Sequence, residues 1–262
     1  MNFFLRLAGG LGNQLFQLAY FTTHVSKSKN SNFFVNPSYL TKYKVDRSFA
    51  VNQVVDLKKM NIKIQKEKNV IFTCRLAKLF SKQNKLFAFI NDNKNYKEPL
   101  KSRYHFFDGY FIWALSKNAF YASAKDIYKN IFPSFKKNIY NTCAIHVRGN
   151  DFNTLGWNSQ NALHYYQRAM NHFARSQHIK SFSIVTDDLE YAKSIFNGNV
   201  HKINFISSNQ ISDFEFLMNS KFKIISGSSF AIWASIFGSF NNSTITIAPN
   251  SSYMIPNMVF LK

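Results

Sequence analysis

In the second half of the chain, apolar positions alternate between two rhythms: short continuous runs, and longer stretches in which they recur every three to four residues. The segments at 143–147, 182–185, 200–206, 222–225 and 244–248 read as strands. The stretches between them form helical faces: Leu163, Tyr166, Met170 and Phe173 near 161–175; Leu189, Ala192, Ile195 and Phe196; Phe214, Leu217 and Met218; and Phe230, Trp233, Ala234 and Phe237. Ser212 with Glu215 three residues on is a capping-box signature, which starts the third helix there. Five strands alternating with four helices predict an α/β lobe built on a doubly wound parallel sheet.

The first half opens the same way and then becomes less regular. Residues 2–8 read as a buried strand, GGLGNQ at 9–14 as a glycine-rich turn, and Leu11, Leu15, Leu18, Ala19 and Thr22 as one face of the helix it feeds. Farther on, DGYFIW at 108–113 reads as a strand, and 124–132 as a helix with Ile127, Ile131 and Phe132 inward, ended by Pro133. Between these lie the polar runs KSKNSN, KKMNIKIQKEKN and NDNKNYK, with short apolar pieces at 32–35 and 86–90 and helix-spaced Leu76, Leu79 and Phe80. They predict loops and lids around a smaller sheet. The linker carrying Lys136 and Lys137 sets the boundary between two lobes, 1–138 and 139–262.

The chemistry concentrates where predicted strands stop. AIHVRGND at 144–151 ends an apolar run on Arg148, Gly149 and Asp151, and in open α/β sheets ligands bind outside the carboxyl ends of the strands. A guanidinium offers five donors in a fixed fork suited to phosphate oxygens, and Gly149 permits close approach of the backbone. The competing reading is a structural ion pair between Arg148 and Asp151. Asp187 and Asp188 stand at the next strand end, placed to hold a ribose, a base or an acceptor hydroxyl, or to cap the following helix. Ser228 and Ser229 open a helix beside Gly227, where hydroxyls and unpaired amides can grip a phosphate; capping alone accounts for one serine. In the first half, Gly10, Gly12, Asn13 and Gln14 form a loop that suits an anion or a sugar, or plain strand-to-helix packing. It has neither the dinucleotide spacing nor a Walker Lys-Ser/Thr. No His/Cys/Asp/Glu group has metal-ligand spacing and no DxD pair occurs, so the expectation is no metal.

Charge sharpens this picture. The chain carries a net +20, unevenly: residues 1–142 hold 24 Lys+Arg against 7 Asp+Glu, or +17, and residues 143–262 hold 9 against 6, or +3. Such a field attracts polyanions, whether nucleic acid, an anionic membrane surface or a phosphorylated substrate, although a lysine- and asparagine-rich composition with solvated lysines explains it as well. Zinc-finger spacing, RNP-type aromatics and a continuous basic helix are all missing, which argues against nucleic acid. No apolar run reaches the roughly 18 residues of a membrane span, and MNFFLRLAGG lacks the early charge and cleavage region of a signal peptide. The expected location is the cytoplasm. Cys74 and Cys143 stand apart and predict inert thiols.

In this order, GGLGNQLFQLAYF, DGYFIW, AIHVRGNDF, LHYYQRAM, FSIVTDDLEYAKSIF and DFEFLMNSKFKIISGSSFAIWASIF resemble the bacterial α-1,2-fucosyltransferases of glycosyltransferase family 11. The resemblance spans nearly the whole chain. It implies a GT-B fold of two Rossmann-like lobes, a GDP-fucose donor held mainly by the C-terminal lobe, an acceptor-side N-terminal lobe, and inversion at the sugar without metal or further cofactor. It further implies that His146 and Asp213 contact the guanine or orient its neighbours, that Arg148 grips the β-phosphate, and that Ser228 and Ser229 line the pyrophosphate. Asn13 would reach the donor or acceptor across the cleft, and Asp151 is a candidate catalytic base unless it is tied to Arg148.

Three departures from the family pattern stand out. Gly149 and Asn150 occupy the places of a second arginine and a glycine, Gly227 replaces an asparagine, and Ile232 with Trp233 replaces paired tryptophans. The single-arginine form is more similar to peptide O-fucosyltransferases. The implied activity is transfer of L-fucose from GDP-fucose to the 2-hydroxyl of galactose in an O-antigen or capsule glycan, on a lipid-linked or oligosaccharide acceptor at the inner face of the plasma membrane. The alternatives are another nucleotide sugar, or a basic module that binds glycan or nucleic acid without turnover.

Overall fold

The computed structural model describes residues 1–26, 28, 30–41, 47–65, 86–92, 102–112, 114–135, 139–149, 162–206, 208–241, 244–249 and 258–259. The chain divides into two compact units, Met1–Phe132 and Pro133–Lys262. The linker lysines Lys136 and Lys137, the helix-spaced Leu76, Leu79 and Phe80, and Cys74 lie outside the described residues.

The first unit is built on a five-stranded sheet. Its strands are β1 (Asn2–Arg6), β2 (Asn32–Asn36), β3 (Ile62–Ile64), β4 (Phe87–Ile90) and β5 (Tyr104–Phe107), all parallel, in the order β3-β2-β1-β5-β4. Aromatic side chains stack across its strands: Phe4 lies on Phe34 and Phe106 with ring centroids 4.9 and 5.1 Å apart, and on the other face Phe3 lies on His105 at 4.6 Å. Helix α1 (Leu11–Val25) covers the latter face through Phe21, which meets Phe33 and Phe107 edge-on. The short α2 (Val51–Val54) follows in the chain, and α3 (Lys117–Lys129) packs on α1 through Phe16 and Phe120 and through a Thr22–Ser123 hydroxyl pair 2.9 Å apart.

Two expectations for this unit need correction. Residues 108–112 of DGYFIW are not a strand, and Trp113 lies outside the described residues: the strand is Tyr104–Phe107, and Asp108 begins the loop that leaves it. The loop's amides bond to a side chain where a strand's would bond to a neighbouring strand. The Asp92 carboxylate accepts the N–H of Tyr110 at 2.9 Å and of Phe111 at 2.6 Å, and Phe111 has φ +54°, which no strand residue adopts. Helix α3 starts at Lys117, seven residues before the expected 124, because Ser116 caps it by accepting the Ala119 N–H.

The second unit carries six parallel strands: β6 (Tyr140–Val147), β7 (Ser181–Thr186), β8 (Lys202–Ile206), β9 (Ser220–Ile224), β10 (Ile245–Ile247) and β11 (Met258–Val259). Their order, β8-β7-β6-β9-β10-β11, reverses direction between β6 and β9, the topological switch point at which such sheets bind ligands. The connecting helices are α4 (Ala162–Ser176), α5 (Leu189–Phe196), α6 (Gln210–Asn219) and α7 (Ser229–Asn241). The five expected strands are present, and β11 adds a sixth. Cys143, Ile145, Val147, Phe173, Phe182, Ile184 and Phe222 form the centre of the core, with Cys143 a free buried thiol.

Helix α6 begins earlier than the capping box predicted. Asn209 is its cap, accepting the N–H groups of Ile211 and Ser212 at 3.0 Å each, so Ser212 sits in the first turn. Strand β9 holds a surprise at its centre. Lys223 is fully buried, and its Nζ donates to the Ser220 carbonyl at 2.5 Å. Gly238 on α7 leaves the room: a Cβ there would meet Lys223 Nζ at 2.9 Å and collide with the Met218 carbonyl.

Candidate active site

The switch point is wired together by side chains from four elements. His146, next to last in β6, pairs through Nδ1 with Ser226 Oγ at 2.8 Å, just beyond β9, and its ring rests against Phe230 of α7. Ser226 Oγ also accepts the Ser228 N–H at 3.4 Å. A hydroxyl has one proton and two lone pairs, so Ser226 can either donate to Nδ1 or accept from it while it holds the Ser228 amide. Burial first, and then the charge of Arg148, push the His146 pKa down to about 3, so the ring is neutral throughout the physiological range. Helix α4 closes the edge from behind: Tyr166 donates to the His146 carbonyl at 3.1 Å, and Tyr165 to those of Ile225 and Ile247 at 2.8 and 3.1 Å. Three strand ends are thereby held in register.

Arg148 follows directly. Because Val147 pairs with Thr186 across β6 and β7, Arg148 and Asp187 leave the sheet side by side. Asp187 binds the guanidinium at 2.5 Å through one oxygen and the Gly149 N–H at 2.9 Å through the other. A carboxylate engaged twice holds its arginine more firmly than a single contact would. Asp151, the partner weighed for Arg148 in the sequence, lies outside the described residues, as does Asn150.

The adjacent aspartate does different work. Asp188 caps α5 by accepting the Tyr191 N–H at 3.1 Å, while its own backbone is clasped by Thr186 Oγ1. It also fills the space over Gly149, where a Cβ would run into it. The two family departures therefore differ physically. No side chain fits at Gly149 with Asp188 in place, whereas a Cβ at Gly227 meets nothing within 4 Å.

Ser228 and Ser229 stand at the start of α7, with the Ser228 carbonyl taking the Ile232 N–H at 3.0 Å and its side chain buried. Ile232 and Trp233 are both core positions, so the lost second tryptophan is a packing change. Asp213, in the first turn of α6, is buried and accepts the Ser208 hydroxyl at 2.7 Å. Burial raises its pKa, and the bonds from Ser208 pull the other way. Its neighbour Phe214 packs edge-on against Phe230, the ring that supports His146.

In the first unit, the glycine-rich loop is held by buried glutamines. Gly9 has φ +74°, and a Cβ on it would stand 2.6 Å from Asn13 Nδ2. Gly10 caps α1 and Gly12 is buried in its first turn. Gln14 is fully buried and spent on backbone: it donates to Gly9 and Ser48 and accepts from Val51. Gln17, which the sequence reading passed over, joins the ends of β1 and β5 by accepting the Ala8 N–H and donating to the Gly109 carbonyl, each at 3.0 Å. A glutamine on the apolar face of a helix was the signal for it. Among the described residues, no three His, Cys, Asp or Glu are grouped to hold a metal ion.

Comparison with known proteins places this geometry. Residues 2–259 match Glycosyl transferase family 11, and the chain belongs to that family. It is therefore a glycosyltransferase. An alpha-1,2-colitosyltransferase of Escherichia coli is 24% identical over 273 residues, covering 93% of this chain and 90% of that protein. Among solved structures, the fucosyltransferase NodZ from Bradyrhizobium superposes with a TM-score of 0.52 at 13% identity, over 90% of this chain and 91% of that one. POFUT1 in complex with GDP gives 0.52 at 9% identity, over 99% and 98%. At these identities the structures establish the fold, and the expected GT-B class of two parallel-sheet α/β lobes is the one found.

Proposed function

We propose that the protein transfers L-fucose from GDP-fucose to the 2-hydroxyl of a galactose in a bacterial surface glycan, with inversion and without metal. The observation that carries this reading is the Arg148 fork, held by Asp187 at the switch point one strand away from the start of α7. As the acceptor oxygen attacks the sugar carbon and the bond to the β-phosphate breaks, negative charge grows on the departing GDP. A preorganised guanidinium and the N–H groups and hydroxyls of Ser228 and Ser229 are suited to stabilise it. The neutral His146 and the buried Asp213 carboxylate suit the nucleoside end. Asn13 and Asp151 are proposed as the remaining catalytic groups, Asp151 as the base that takes the acceptor proton.

A second reading has the same chemistry with colitose as the sugar, favoured by the name of the Escherichia coli relative. Transfer assays with labelled GDP-fucose, GDP-colitose, GDP-mannose and UDP-galactose, all in the presence of EDTA, separate the two. GDP-fucose turnover is the expected result. Turnover of the colitose nucleotide alone would replace the donor assignment, and activity that appears only when manganese is restored would overturn the role given to Arg148.

A further inference from the structure

In the first unit a crevice lies at the carboxyl ends of the neighbouring strands β1, β5 and β4. Arg6 at the end of β1, Asn91 and Asp92 beyond β4, and Asp108 and Tyr110 beyond β5 line a cavity of about 200 Å³. That is below the range of about 300–1,000 Å³ that takes drug-sized ligands, and it suits one sugar ring better than a nucleotide. The crevice is a built structure. Arg6 is ion-paired with Asp108 and lies 4.6 Å over the Tyr39 ring, and the Asp92 carboxylate shapes the opposite wall by holding the loop at Tyr110 and Phe111.

Its charge runs against its surroundings. Residues 1–142 contain only seven acidic residues among 24 basic ones, yet two of the seven, Asp92 and Asp108, line this one crevice beside a single arginine. The lining carries one net negative charge in a half of the chain that carries +17. A phosphate is repelled there, and a neutral hydroxyl compound is not. Apart from Asp108 Oδ1, which Arg6 engages as an ion pair, two buried polar atoms in the lining residues have no hydrogen-bond partner: Asn91 Oδ1, an acceptor, and Arg6 Nε, a donor. Buried polar atoms are seldom left unpaired, and a hydroxyl, which donates and accepts at once, answers both.

We infer that this crevice is a binding site for a single uncharged sugar ring, recognised through its hydroxyls by Asn91, Asp92, Asp108 and Arg6. Within the proposed transfer reaction that ring belongs to the acceptor glycan, and this assignment rests on the proposed function; the binding itself does not.

The test uses the full-length protein with lactose, inorganic phosphate and GDP as separate probes, titrated by NMR against wild type, Asn91→Ala and Asp108→Asn. Lactose should bind the wild type and weaken roughly tenfold in Asn91→Ala, the scale of one buried hydrogen bond, while GDP affinity stays within twofold. Asp108→Asn should weaken lactose binding as well, and a folded Asn91→Ala protein keeps the test alive if that second variant loses its structure. No lactose binding to the wild type, equal binding to Asn91→Ala, or a phosphate site that disappears in Asn91→Ala would each overturn the inference. Failure of every nucleotide sugar in the transfer assay would sink the proposed function and leave the lactose titration standing.

Discussion

Gly149 and Asp188 are packed so closely that a Cβ on the glycine would overlap the aspartate side chain. The family pattern has an arginine at this place, and here the space it would need is filled by the residue that caps α5. The chain has exchanged a second guanidinium for a backbone contact.

Restoring the arginine should therefore fail. Gly149→Ala already forces Asp188 off its cap, and overpacking of this kind costs about 1–3 kcal/mol, with loss of the cap adding about 1. Gly149→Arg should lower the melting temperature at least as much and should not raise GDP affinity. Gly227→Asn, the other return to the family pattern, enters open space and should leave stability within about 0.5 kcal/mol. Thermal denaturation of the three variants checks this, and a stable, tighter-binding Gly149→Arg protein would show that Asp188 yields easily.

Arg148→Lys should lower kcat on the order of 100-fold, the scale of removing one preorganised donor, because an ammonium keeps the charge and loses the fork. Asp187→Asn should lower it as well, since the arginine then loses the oxygen that orients it. The two changes act through one interaction, so the double variant should be much less impaired than the product of the two single losses. Multiplicative losses in kcat would separate Asp187 from Arg148.

How legible this was depends on where the relevant partner sits. Arg148 was readable because an apolar run stops on it, a local signal. Asp187 was readable only as half of an aspartate pair, because its engagement with Arg148 follows from the Val147–Thr186 register, which no local pattern contains. The central strands of the second unit, β6, β7 and β9, read clearly since their apolar runs are buried, whereas β11 spans two residues and leaves no period to detect. The aromatic run after Asp108 has the composition of a strand, and an aspartate 19 positions away from Phe111 claims its amides. Ser116 was a visible cap, but the polar residues behind it hid the start of α3. Nothing in the sequence marked Lys223 as interior.

That lysine predicts an uncommon pH dependence. Burial pushes the Lys223 pKa down from 10.5 to about 7, so between those values the unfolded chain binds a proton that the folded chain refuses. Stability then rises with pH, by up to about 1.4 kcal/mol per unit inside the window, and the full penalty is felt below pH 7. Above the ordinary thiol value of 9.0 the gain is offset, and above 10 the net slope turns negative. Burial holds Cys143 protonated in the folded state while the unfolded thiol ionises, and above 10 the buried Tyr165 and Tyr166 add to that loss in the same way. The clean interval is pH 7–9. Denaturation melts should show the wild type gaining stability across it, and Lys223→Met should be more stable at pH 7 with a flatter profile. Parallel profiles for the two proteins would mean that Lys223 is solvated or paired in the folded state.

The last prediction concerns the basic half of the chain. Lys58, Lys59, Lys63, Lys117, Lys125 and Lys129 are exposed, within a segment that carries +17. No helix among the described residues is long and apolar enough to cross a membrane. Each lysine close to an anionic leaflet contributes about 1 kcal/mol, and a few together suffice for binding that weakens as salt shortens the Debye length. An acceptor carried on a lipid would place the enzyme at such a surface, with the +3 half left to collect the nucleotide sugar from solution. Sedimentation with vesicles rich in anionic lipid should capture the protein at low salt and release it near half-molar salt (roughly a 4 Å screening length), while neutral vesicles capture little. Replacing Lys58, Lys59 and Lys63 with glutamine should weaken capture if these lysines face the leaflet. Equal capture by neutral vesicles would point to an apolar contact, and no capture by either would leave the charge as solvated surface.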